Sequence, residues 1–243
     1  MVIFDNLSQL LFMPLEMMTK QDVIQYRNTR CESVSGGTVR LELQLLGRVL
    51  RWCINEKEMD ITDVTVGVKL PEAGKARDKI ITEAQYRHLL NCISKEAYNP
   101  LIISWETAMR RTEVLKITPS MIDTRRRVIN LPASICKNGE ARAVPLSSIA
   151  FDLLVSLCEG KQPYQPLFNL LPHSYTRAFK RAAGIVGLDE SICLHSVRHT
   201  CITRYAERGL STVQLMAISG HKSIDMLARY SHVTADSIVQ LMD

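Results

Sequence analysis

The hydrophobic period of this chain is helical over its first half, switches to short β-like runs between residues 121 and 146, and is helical again to the end. Met121-Ile122-Asp123, Arg127 to Leu131, Ser134 to Lys137 and Ala141 to Leu146 are those runs. Asn138-Gly139, between the last two, is a strong hairpin signal, because a type I′ turn needs φ > 0 at both central residues. Upstream, Thr19 to Asp22 reads as a capping box, and Thr38 caps a helix to about Asn55 with Leu41, Leu45, Leu46, Val49, Leu50 and Cys53 at helical spacing. A second capping box, Thr82 to Gln85, opens a helix to about Ser94, and another apolar helix covers 98–116. Downstream helices are expected over 148–158, 173–186, 197–208, 211–219 and 223–231. Ser211 to Gln214 caps one of them, and Gly209 and Gly220 suit helix C-termini. The order predicts an α+β, mainly α fold with a small three-stranded antiparallel sheet.

Residues 66–80 carry two Gly, one Pro and several charges without a sustained period. They place a linker at 71–80 between a helical segment, 1–70, and a larger domain, 81–243. Of the 30 Lys/Arg and 25 Asp/Glu, residues 1–79 hold 11 and 11, so the whole net charge of +5 sits in the later part. That is a mild lean toward polyanions.

The 7 cysteines include no C-x-x-C pair, which argues for free thiols in a reducing compartment and against a structural zinc site. Asp5, Pro14 and Glu16 interrupt the apolar N-terminus, and no stretch reaches the roughly 18–20 apolar residues of a membrane span. A cytoplasmic protein with no membrane partner is expected.

The chemistry is concentrated in a few motifs. The last quarter reads His195-Ser196-Val197-Arg198-His199, then Ser219-Gly220-His221-Lys222, then Ala228-Arg229-Tyr230. Singly, each has an ordinary structural reading. His195 and His199 could bind zinc, but Ser196 stands where a zinc protease needs its glutamate. Upstream lie Thr107-Ala108-Met109-Arg110-Arg111-Thr112-Glu113 and Cys136-Lys137-Asn138-Gly139-Glu140-Ala141-Arg142-Ala143-Val144-Pro145-Leu146.

Together these motifs resemble, in order and spacing, the tyrosine recombinases of the phage-integrase family over roughly 80–232. That family carries T-G-L-R-x-x-E, a hairpin lysine in T-K-N-x-x-x-R-x-V-P-L, H-x-x-R, L-G-H and a late tyrosine. Ala108-Met109 replaces the usual Gly-Leu, Ser196-Val197 the usual Asp-Leu, and Ser219 the usual Leu. The resemblance implies a core-binding domain at 1–70, short for the family, and a catalytic domain at 81–243. A compact recombinase and a truncated N-terminus both remain open.

The resemblance implies a site-specific recombinase that cuts and rejoins duplex DNA through a 3′-phosphotyrosine on Tyr230. Arg110 and Arg198 offer planar, permanently charged forks suited to nonbridging phosphate oxygens. By resemblance Lys137 is the general acid for the leaving 5′-oxygen, His195 shares proton transfer with the tyrosine, and His221 donates to a nonbridging oxygen. Glu113 either orients a neighbouring catalytic group or forms an exposed i, i+3 ion pair with Arg110. No cofactor or metal is called for.

Arg40 and Arg48 are candidate DNA-backbone contacts or a solvated helix face, and Arg125-Arg126-Arg127 reads as a solvated turn before a strand. The apolar tail, Ile238, Val239, Leu241 and Met242, is expected to dock on a neighbouring protomer or fold back. Implied partners are double-stranded DNA with inverted-repeat core sites, copies of the chain forming a tetramer, and host or phage DNA-bending accessory proteins. Integration or excision of a phage or mobile element is the leading role. A Xer-like or plasmid resolvase or invertase, a type IB topoisomerase-like nicking-closing enzyme and a non-catalytic DNA-binding regulator are the alternatives.

Overall fold

The computed structural model describes residue 10, residues 12–74 and residues 79–227. The chain divides into two compact units, Met1–Ala76 and Arg77–Asp243.

In the first unit, a 3-10 turn at Leu15–Met17 precedes α1 (Lys20–Ser33) and α2 (Gly36–Lys57). The Thr19 box forms, with the Asp22 amide donating to Thr19 Oγ1 and the Thr19 amide donating to the Asp22 carboxylate at 2.8 Å. Ser35, not Thr38, caps α2, so the helix starts earlier than its apolar pattern suggests. Gly36 and Gly37 form its first turn. A Cβ on Gly36 would stand 2.6 Å from the Glu72 carbonyl, so close backbone approach requires glycine there.

Val23 and Tyr26 of α1 pack against Val39, Leu43, Leu46 and Leu50 of α2, whereas Leu41 is exposed. Within this apolar layer Glu42 is fully buried. It accepts a hydrogen bond from the Tyr26 hydroxyl at 2.8 Å and pairs with Arg30 at 3.1 Å.

In the second unit, α3 (Glu83–Cys92) opens on the Thr82–Gln85 capping box, and α4 (Lys95–Thr107) follows. The helix expected over 98–116 is two helices. Ala108 takes a left-handed conformation (φ 51°) at the end of α4, and α5 (Arg111–Leu115) starts afresh from Arg110. β1 (Ile122–Asp123), β2 (Val128–Leu131) and β3 (Arg142–Pro145) then form an antiparallel sheet in the order β1-β2-β3.

Ser134 to Lys137 is not a strand. Ala133–Ile135 is a 3-10 turn, followed by a turn in which the Gly139 amide donates to the Cys136 carbonyl. Gly139 has φ 68° while Asn138 does not enter the positive region, so Asn138-Gly139 does not make a two-residue I′ hairpin. Residues 132–141 instead form a long connection between β2 and β3. Arg125 and Arg126 donate their amides to the Asp123 carboxylate in the β1–β2 turn, as a solvated turn requires.

After the sheet come α6 (Ser148–Cys158), α7 (Pro172–Val186), α8 (Leu194–Glu207) and α9 (Thr212–Ser219), the last with its Ser211 capping box. Ile224–Met226 is a 3-10 turn where the sequence suggested a helix over 223–231, whose later residues lie outside the described ones.

The main core gathers Trp105, Tyr175, Phe179, Leu89 and Leu101 with the inward side of the sheet, Ile129, Leu131 and Val144. Trp105 stacks on Tyr86 with centroids 3.9 Å apart. A smaller cluster joins Ala108, Cys201, Ile202, Leu215, Ile218 and Leu227. α8 serves both, with Val197 in the first and Cys201 in the second, which fixes its N-terminal end, and with it Arg198, on two sides.

Candidate active site

The break between α4 and α5 is the foundation of the site. Because Ala108 turns out of the helix, its carbonyl is released and Arg110 becomes the N-cap of α5. The Glu113 carboxylate reaches back to the Arg110 amide at 2.8 Å and to the Arg110 guanidinium at 3.0 Å. Its second guanidinium partner is Arg142, at 3.0 and 2.7 Å, one bond to each oxygen. Glu113 is completely buried, so the pair is not the exposed i, i+3 bridge that spacing alone allowed. Burial by itself raises its pKa, yet the bonds from Arg142 and Arg110 prevail and hold it below the ordinary carboxylate value. Two guanidiniums on one carboxylate leave a net positive charge.

Arg142 belongs to the same sequence motif as Lys137. Register explains where it goes. It pairs with Leu131 and lies two residues before the buried Val144, so it sits on the inward side of β3. Strand alternation could have flagged this inward arginine.

Arg198 is buried to 3% exposure. One Nη donates to the Ala108 carbonyl, the other to the Ser219 carbonyl at 2.6 Å, and His221 Nε2 lies 3.4 Å from that second nitrogen. Ser219, one of the departures from the usual pattern, accounts for part of this geometry. Its hydroxyl donates to the Leu215 carbonyl at 2.6 Å and lies 2.7 Å from His221 Nδ1, so it is an acceptor for an Nδ1 proton. Gly220 ends α9 with φ 67°, and its carbonyl accepts from Arg110 at 3.3 Å and from the Asn138 side chain at 3.2 Å.

Lys137 is exposed on the 132–141 connection, and His195 is exposed in the first turn of α8 with its ring 4.6 Å from that of His199. Arg110, Lys137, His195 and Arg198 line one cavity of about 390 Å³, along with Arg111. No acidic side chain lines it among the described residues. A neighbouring cavity of about 410 Å³ shares Arg110 and adds Asn138, Arg142, Gly220 and His221. Five of the six residues singled out for chemistry thus converge on Arg110. The sixth, Tyr230, and the apolar tail lie outside the described residues. Arg40 and Arg48 belong to the first unit, where Arg40 donates to the Pro71 carbonyl at 3.1 Å and Arg48 is exposed.

The fold, a mainly helical domain with a small antiparallel sheet, is shared with the lambda integrase tetramer bound to a Holliday junction, with a TM-score of 0.73 at 17% identity, over 91% of this chain and 70% of that one. The family model described as "Phage integrase family" matches residues 78–237, and the chain belongs to that family. Among curated relatives, the shufflon-specific DNA recombinase of Escherichia coli is 30% identical over 241 residues, covering 94% of this chain and 62% of that protein. Tyrosine recombinase XerA of Saccharolobus solfataricus is 29% identical over 203 residues, covering 83% of this chain and 65% of that protein. The chain therefore spans less than two thirds of either relative.

Proposed function

We propose that this chain cuts and rejoins duplex DNA as a site-specific recombinase, with Tyr230 as nucleophile. The observation that carries the reading is that Arg110, Arg198, Lys137 and His195 line one cavity, with His221 in the adjoining cavity that shares Arg110 and 3.4 Å from Arg198. A phosphorane-like transition state places extra charge on the nonbridging oxygens, and preorganised donors at that position are worth roughly 3–4 kcal/mol each.

In the proposed step the Tyr230 phenolic oxygen bonds to phosphorus and the P–O5′ bond breaks. The phenol proton passes to His195, and the Lys137 ammonium protonates the departing 5′-oxygen. The product is a 3′-phosphotyrosine and a free 5′-hydroxyl, so rejoining needs no ATP. Free phenols ionise near pH 10, which is why proton acceptance and cationic surroundings matter. Tyr230 has no described position, so its placement in this scheme rests on the motif order.

Residues 1–70 would act as the core-binding domain, with Arg48 as a backbone contact and Arg40 retaining only part of its donor set for one. Inverted-repeat core sites, a tetramer on DNA, docking of the apolar tail between protomers, and DNA-bending accessory proteins complete the reading. The lambda integrase tetramer on a Holliday junction supports the assembly by analogy. Phage or mobile-element integration is the leading role. Resolution or inversion is the second, favoured by relatives named for shufflon and Xer recombination.

The test uses nicked duplexes with a randomised core. The wild-type chain should trap a covalent adduct on a denaturing gel, and sequencing of the trapped DNA should return one core site. Tyr230→Phe should abolish the adduct. An adduct that persists in that variant would remove Tyr230 from the reaction. Plasmids bearing two recovered sites, direct or inverted, separate integration, resolution and inversion, and relaxation without joining would favour the nicking-closing alternative.

A further inference from the structure

Lys137 stands on an exposed connection, yet a general acid must be held at hydrogen-bond reach, about 2.6–3.2 Å, from the oxygen it protonates. Its two neighbours in sequence are the ones that are tied down. Arg142 Nη1 donates to Cys136 Sγ at 3.5 Å, on the residue before Lys137. Asn138, on the residue after, donates to the Gly220 carbonyl at 3.2 Å. The same Arg142 guanidinium lies flat against Gly220, where a Cβ would stand 2.9 Å from its Nε. Its two terminal nitrogens grip the buried Glu113, which in turn holds Arg110. Arg142 Nε, buried, has no hydrogen-bond partner among the described residues, the cost of facing the Gly220 backbone. One side chain thus touches the lysine loop, the Arg110 turn and the Gly220-His221 turn.

We infer that Arg142 is a positioning residue that registers the Lys137 loop against Arg110 and Gly220, so that its loss impairs protonation of the leaving 5′-oxygen. This rests on the recombinase reading above. Lysine at this position keeps the charge but cannot supply the planar fork that reaches both Glu113 oxygens and Cys136 together.

The leaving group provides the test. A duplex carrying the recovered core site is made with sulfur in place of the scissile 5′-oxygen. A thiol has a pKa near 8.5, against about 15.7 for water, so a departing thiolate needs no proton. Covalent-adduct rates are measured for the wild-type chain, Arg142→Ala, Arg142→Lys and Lys137→Ala on both substrates, with thermal melts confirming folding. On the oxygen substrate both Arg142 variants should slow by ~10- to 100-fold, the scale of a misplacement of about 1 Å. On the sulfur substrate the loss should shrink to roughly fivefold or less, in parallel with Lys137→Ala.

If Arg142→Ala does not fold, Arg142→Lys carries the comparison, and restoration of Arg142→Lys by sulfur alone suffices. Equal losses on both substrates in a folded variant would overturn the inference while leaving the recombinase reading intact. A wild-type chain that forms no adduct with either substrate would overturn both.

Discussion

The buried guanidinium of Arg198 donates to the main-chain carbonyl of Ala108, ninety residues earlier, and that carbonyl is available only because Ala108 is left-handed. Most residues avoid this conformation because Cβ crowds the following carbonyl, at roughly 1–2 kcal/mol. A β-branched side chain is worse still, and Ala108 is also fully buried beside Cys201 and Leu215. Ala108→Val should therefore lower stability by about 2–4 kcal/mol, combining strain with overpacking. At roughly 2–4 °C per kcal/mol, the melting temperature should fall by about 5–15 °C, with strand cleavage falling as Arg198 loses its anchor. Ala108→Gly should stay within about 1 kcal/mol of wild type, because relief of strain is offset by a lost methyl and a freer unfolded chain. Calorimetry and the adduct assay check both variants.

Glu113 sets an acid limit. Its folded pKa is depressed, so the unfolded state takes up the proton at the higher pH. The carboxylate's contribution is then fully present above the ordinary value near 4.3 and is lost as pH falls through the lower folded value. Glu113→Gln should remove that part of the acid slope. It should also cost about 3–5 kcal/mol at pH 7, because two guanidiniums lose their counter-charge in a buried setting. Asp189, held low chiefly by Lys79, keeps its own share of the slope in the variant. Urea midpoints between pH 3 and 7 report the difference.

Ser219 takes the place where Leu is usual, and its hydroxyl links the Leu215 carbonyl to His221 Nδ1. Removing the hydroxyl takes away one of the contacts that orient the imidazole beside Arg198. Ser219→Ala should leave the fold intact and slow strand cleavage by roughly fivefold, the equivalent of about 1 kcal/mol. A rate equal to wild type, measured as adduct formation on the recovered core site, would show that His221 is oriented without Ser219.

Much of this was legible in the chain, for definite reasons. Capping boxes at Thr19, Thr82 and Ser211 are local chemistry, satisfied within four residues, and all three form. The sheet was legible as three of four β-like runs. The fourth, Ser134 to Lys137, became a 3-10 turn and loop, with Cys136 bonded to Arg142 six residues on and Asn138 to the Gly220 carbonyl, a contact that no local pattern reveals. The helix expected over 98–116 kept its apolar period through Ala108, and the break there goes with a long-range hydrogen bond from Arg198 and a local one from the Arg110 amide to Glu113. Five residues of the motif set converge in space, yet the Arg142 bonds to Glu113 and the Ser219 and Gly220 carbonyls that receive Arg198 and Arg110, which connect them, are contacts distant in sequence.

Burial of phenols sets the opposite, alkaline limit. Burial pushes Tyr86 and Tyr175 above the ordinary value near 10, and Tyr205 to about 12. Cys201, also buried, is pushed up to about 12. Each is neutral when protonated, so its folded pKa exceeds its unfolded one. The stability it contributes is complete below the unfolded value and is lost as pH rises toward the folded one. The second unit should hold its stability to about pH 9 and weaken steeply above about pH 10. Tyr175 isolates one contribution. Its hydroxyl donates to Ser104 Oγ at 2.9 Å, while Ser104 donates to the Pro100 carbonyl. Tyr175→Phe should cost about 1 kcal/mol at pH 7 and progressively less above pH 10, where only the wild type must expose and ionise that phenol to unfold. Urea unfolding at pH 7 and pH 11 measures the convergence. A penalty that stayed constant across that range would mean that Tyr175 ionises alike in both states.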